Sequence, residues 1–162
     1  MAGTAPRADT RPAEWWERLG ARLIEGLVFG VIYYILFITL WGVFRTVGVL
    51  EAFGGRLPGM GAWLAAGAAY TGYDWWAHSR GGRTFGKTIM RIHLVPDEPA
   101  PGAALKRALV YPGPLMLVGI PVVNLLAGML LFGVGLLILI DKPLERGPHD
   151  RLAGTRVVKD LR

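Results

Sequence analysis

The chain has no cysteine. That excludes disulfides, thiolate metal sites and thiol nucleophiles. Histidine is scarce: His78, His93 and His149 are the three present. Their separations match no metal-ligand spacing, and neighbours such as His149 and Asp150 chelate one ion poorly, so no metal and no cofactor is expected. Acidic residues are outnumbered by basic ones, 12 to 18. No internal repeat is visible, and no nucleophile–base pair points to an enzyme. A secretory signal is not expected either, because the first apolar run is too long and no small-residue cleavage site follows it.

What the chain has in quantity is apolar sequence, 52% of its residues. It is gathered into long blocks instead of amphipathic spacing, which points to an all-α membrane protein. The first block, residues 23–44, contains one charge, Glu25. Trp15 and Trp16 precede it and Trp41 lies near its far end, where interfacial anchors belong. Gly26 and Gly30 form a small-residue step that lets another helix approach. The second block, residues 60–77, is rich in Ala and Gly and calls for protein neighbours; Asp74 lies near its end, and Trp75 and Trp76 mark its exit. The third block, residues 108–140, has no charge. As one helix it would run about 50 Å, well beyond a hydrocarbon core of about 30 Å. Pro112, Pro114 and Pro121 break it, so two segments meeting near "GIPVVN" are predicted: one short and kinked, then a full span over 122–140.

Basic residues divide 4, 2, 6 and 6 over the N-terminal lead, first linker, second linker and tail. Basic loops stay cytoplasmic. Four membrane or re-entrant segments with both termini inside therefore follow, joined by short cytoplasmic strand-like or interfacial segments. Because the basic residues flank apolar blocks, anionic lipid headgroups explain them better than nucleic acid does. Residues 1–16 read as a disordered cytosolic lead-in, 17–158 as the membrane domain and 159–162 as a tail.

"GGRTFGKT", residues 81–88, matches the phosphate-binding G-x-x-x-x-G-K-[ST] pattern. That pattern works only between a strand and a helix of an α/β domain. Here an apolar helix leads in, so no nucleotide is expected and Gly81, Gly86 and Lys87 read as a structural turn. The following "TIMRIHLV" is either a short strand or a surface helix. Arg18, Arg22 and Glu25 are spaced i, i+4, i+7 and form one stripe. Glu25 is either an anchor paired with Arg22, a coupling or substrate group, or a helix–helix contact. Asp74 returns to the same leaflet, where Arg80 or Arg83 is its expected partner. Asp141 reads as a cap on the last helix. Around His149-Asp150, Pro148 forces a turn, and Asp150 either caps "RLAG" locally or meets Arg18 or Arg22 as the tail folds back. In the second case "TRVV" pairs with "RIHLV".

These pieces resemble the RDD family of small membrane proteins, named for one Arg and two Asp. "RLGARLIEG" is similar to the family's first motif, with Arg18 as the Arg and Glu25 where Asp is expected. "GGRTFGKTIMRIHLV" resembles the middle motif through Thr84, Gly86 and Lys87, and "LKRALV" with Arg107 follows. "HDRLAGTRVV" is the specific ending, with Asp150 as the second Asp and Gly154 and Thr155 in its turn. The resemblance implies a multi-span bacterial membrane protein and a transport role, with sodium–proton exchange proposed for some members.

Two functions are therefore weighed. One is an ion or small-solute transport component working through an intramembrane carboxylate, with Arg18, Arg22, Glu25, Asp74 and Asp150 as its polar cluster. The other is a non-catalytic accessory or scaffold subunit that packs into a larger membrane complex. A bundle of four segments is thin, so membrane lipids and further copies of the chain or a larger complex are the expected partners.

Overall fold

The computed structural model describes residues 10–96, 101–140 and 146–161. The Asp141 cap lies outside these residues. In chain order the elements are β1 (Thr10–Pro12), α1 (Trp15–Val47), a 3-10 turn (Ala52–Gly55), α2 (Leu57–Arg80), α3 (Phe85–Ile89), β2 (Ile92–Pro96), α4 (Ala103–Val110), a second 3-10 turn (Gly113–Leu117), α5 (Val123–Ile140), α6 (Pro148–Ala153) and β3 (Thr155–Asp160).

Two of these helices, α1 and α5, are long and apolar enough to cross a membrane. At 33 residues, α1 runs about 50 Å, so its first turns extend past a hydrocarbon core. Those turns are fixed by a capping box, in which the Glu14 amide donates to the Glu17 carboxylate at 2.9 Å. α2 is 24 residues long and packs along α1. Its small residues Ala62, Ala66, Gly67 and Ala77 are buried, as a Gly- and Ala-rich helix among protein neighbours should be.

The third apolar block divides where its prolines stand, although its first part is not a helical span. α4 ends at Val110, before Pro112, and α5 resumes at Val123. The chain between them runs along α2. A side chain on Gly67 would meet the Met116 backbone at 2.4 Å, so only glycine permits that approach. This irregular backbone lies against protein.

The sheet is assembled from distant parts of the chain in the order β1-β3-β2, all antiparallel. Leu94 faces Val157 and His93 faces Val158, so "TRVV" does pair with "RIHLV". The ambiguous "TIMRIHLV" resolves into both kinds of structure: its start closes α3 and its end forms β2. Ala13, Ala21, Ile92 and Val157 form the core between the sheet and α1, with Met90 and Leu94 at its edge. Burying side chains such as Ile92 and Val157 contributes about 1.5–3 kcal/mol each.

Two boundaries are corrected. Thr10–Pro12 of the lead-in forms a strand, because it occupies the free edge of β3 and Arg11 reaches Glu17 at 2.7 Å. The tail does not begin at 159, because β3 continues through Asp160.

Away from the sheet the polarity is inverted relative to a water-soluble domain. Leu27, Leu125, Met129 and Phe132 are exposed, while Glu25, Asp74, Lys87, Arg107 and Asp150 are buried. A broad apolar exterior of this kind marks a membrane surface.

Candidate functional site

The buried polar residues gather at the sheet end of α1 and α2, and α3, α4 and α6 close around them. The first group centres on Asp150. The Arg18 Nη1 donates to its Oδ2 at 3.0 Å, and the Arg107 Nη1 donates to its Oδ1. Arg18 also donates from Nε to the Ala13 carbonyl at 3.2 Å, which ties the start of α1 to the sheet. The Gly147 amide donates to Asp150 at 3.3 Å. Asp150 therefore meets Arg18, as the fold-back alternative expects, and also holds the start of α6. The capped amide precedes Asp150 instead of following it, because α6 starts at Pro148. At the other end of α6, Gly154 adopts a left-handed conformation with φ 59°, and the Thr155 hydroxyl donates to the Asp150 carbonyl at 3.4 Å.

The second group centres on Arg22. Its Nη1 reaches Glu25 Oε2 at 2.8 Å and Asp74 Oδ1 at 2.7 Å. The Tyr70 hydroxyl donates to Glu25 at 2.7 Å, and the Thr84 hydroxyl donates to the other Glu25 oxygen. Three donors thus satisfy this fully buried carboxylate, which an isolated charge in the membrane would lack. Tyr70 is held in turn by stacking on Phe29, with ring centroids 4.5 Å apart.

The third group continues from Asp74. His78 Nδ1 lies 2.7 Å from the Asp74 carbonyl oxygen and 3.0 Å from Oδ2. One N–H points at one acceptor: the carbonyl takes the hydrogen bond and the carboxylate supplies the close charge. With Nδ1 protonated, His78 Nε2 is an acceptor, and Lys87 Nζ donates to it. Burial, followed by the nearby Arg107 and Arg22, holds the Lys87 ammonium well below its ordinary pKa. Charge balance points the same way. Arg18, Arg22 and Arg107 match Asp150, Glu25 and Asp74, which leaves Lys87 as the surplus cation in the cluster. His149 is also buried, and burial, followed by Arg107, holds it well below its ordinary value.

The structure thus brings together Arg18, Arg22, Glu25, Asp74 and Asp150. It changes several partners. Asp74 pairs with Arg22 and His78; Arg83 bridges to Asp160 at 2.7 Å and Arg80 lies over the Trp76 ring. Lys87 is a member of the cluster, not a turn residue. The loop is entered by α2, and its lysine is buried. Gly81 caps α2 and enters the turn with open space around it, and Gly82 carries the positive φ, 66°. Gly86 serves close packing: a Cβ there would stand 2.1 Å from the Ala21 carbonyl oxygen on α1. His78 and Tyr70 carry no signal in the sequence. Thr84 and Arg107 did, through "GGRTFGKTIMRIHLV" and "LKRALV".

The sequence model of the RDD family matches residues 12–154. No curated protein and no solved structure matches the chain.

Proposed function

The chain belongs to the RDD family of membrane proteins, and from that premise we propose that it is a cation/proton-exchange component of the bacterial cell membrane. The observation that carries this reading is the unbroken buried line Glu25–Arg22–Asp74–His78–Lys87. It holds two carboxylates, an imidazole and a surplus lysine in contact at the end of an apolar helix. Ionisable groups kept at such cost in a membrane mark ion and proton pathways.

In this reading the protein spans the membrane several times with both termini cytoplasmic. The sheet supports it, since it joins strands from the N-terminal lead, the second linker and the tail, the three segments richest in Lys and Arg. The chain crosses on α1, returns on α2, goes out again along 108–122 and comes back on α5. A homo-oligomer or larger complex completes the thin bundle.

The test is cation flux driven by a pH gradient in liposomes that contain only the purified protein. An accessory role is the second reading. Gly26 and Gly30 favour it, since both lie on an exposed face of α1 with open space around them, as a surface for another helix requires. A protein silent alone and active only with a copurifying partner would support that reading.

A further inference from the structure

A cavity of about 530 Å³ lies between the start of α1 and the second half of α5. This is within the size of small-molecule sites. Its inner end is formed by Arg18, Arg22, Lys87, Arg107 and His149. Among the described residues no carboxylate lines it: Glu25, Asp74 and Asp150 stand behind their arginines. Its outer walls are apolar, with Phe132, Leu136 and Leu139 from α5 and Leu19 from α1. These same residues are exposed on the apolar exterior, so the cavity opens sideways, toward lipid.

The inner end has donors to spare. Arg107 is 1% exposed and His149 5% exposed, yet Arg107 Nε and His149 Nδ1 have no hydrogen-bond partner among the described residues. Arg22 Nη2 is in the same position. Buried polar atoms are nearly always satisfied, and unsatisfied ones cost stability. A guanidinium has donors only, so what completes it is an acceptor, best an anionic oxygen.

We propose that this cavity binds one anionic amphiphile, its acidic oxygens on Arg22 and Arg107 beside His149 and its single hydrocarbon tail along the α5 wall. The two halves of the cavity demand the two halves of the ligand. A free oxyanion would leave the apolar walls uncovered, and a neutral lipid would leave the arginine donors unmet. The site meets the proposed line at Arg22 and Lys87, and its ligand binding is tested whether or not that line carries protons.

The test uses a matched set of probes on the full chain, purified and delipidated in a neutral sugar detergent. The probes are dodecyl phosphate, dodecylphosphocholine and inorganic phosphate, and binding is read by calorimetric titration. Dodecyl phosphate should bind saturably, about tenfold or more tighter than the phosphocholine, because choline screens the oxygens that the arginines take. Inorganic phosphate should bind much more weakly than dodecyl phosphate. Gly135→Phe supplies an independent arm. Gly135 lines the cavity with open space around it, so the new ring fills the tail channel without touching the polar cluster. It should weaken dodecyl phosphate about tenfold and leave the melting temperature without ligand unchanged. Equal affinity for the two amphiphiles would overturn the anionic site. Inorganic phosphate binding as tightly as dodecyl phosphate, or full binding to Gly135→Phe, would overturn the tail site.

Discussion

Arg18 and Asp150 are 132 positions apart and form a buried ion pair at 3.0 Å. The pair clamps the first turns of α1 to α6, and Arg107 joins it from α4. Asp150 consequently has two arginines to satisfy, whereas each arginine has only part of its charge committed there.

That asymmetry sets an order for mutants. Asp150→Ala strands both Arg18 and Arg107 and should cost about 3–5 kcal/mol. Arg18→Ala leaves Asp150 with Arg107 and should cost less. The double mutant should cost well below the sum of the two. Denaturation in detergent measures all three, and strict additivity would mean that the clamp makes no net contribution.

Gly86→Ala should destabilise the protein by about 1–3 kcal/mol or more, since its methyl would press on the Ala21 carbonyl. Gly81→Ala is the control and should be near neutral, because nothing lies within reach of its Cβ. The two melting temperatures, compared side by side, check this.

Stability should rise with pH. His149 and Lys87 both have folded pKa values below their unfolded ones, so the unfolded chain binds more protons between the two values. Stability is therefore lost as pH falls below about 10.5 for Lys87 and below about 6.5 for His149. Lys87→Met should flatten the melting-temperature profile between pH 7 and about 10, and His149→Gln should flatten it below about 6.5. Profiles parallel to wild type would show both groups to be solvated.

Reporter fusions after Arg56 and after Arg162 should fall on opposite sides of the membrane. Arg56 precedes α2 at the end of α1 far from the sheet, while Arg162 follows β3. Reporters on the same side would mean that residues 108–122 do not cross.

The apolar blocks and the start of the last span after Pro121 were legible because each rests on composition or local pattern. So was the stripe of Arg18, Arg22 and Glu25, which one helix places together. The β2–β3 pairing joins distant segments and was read only as one of two alternatives. The partners of Asp74 were not legible. Local spacing favoured Arg80 and Arg83, yet burial turns Asp74 toward α1, where Arg22 lies. Lys87 was masked by a phosphate-loop pattern whose meaning depends on a preceding strand that this chain replaces with a helix. The strand in the lead-in escaped a reading by composition because Thr10–Pro12 gains its structure from an edge of β3 supplied by the other end of the chain.

The central claim is that the buried line beginning at Glu25 exchanges protons for cations. Its most direct measurement is proton flux against an imposed cation gradient, in liposomes holding wild type, Glu25→Asp or Glu25→Gln at equal protein density. Wild type and Glu25→Asp should carry flux, because both keep an ionisable carboxylate beside Arg22, and Glu25→Gln should carry none. Flux through Glu25→Gln equal to wild type, or no flux from any of the three, would contradict the account.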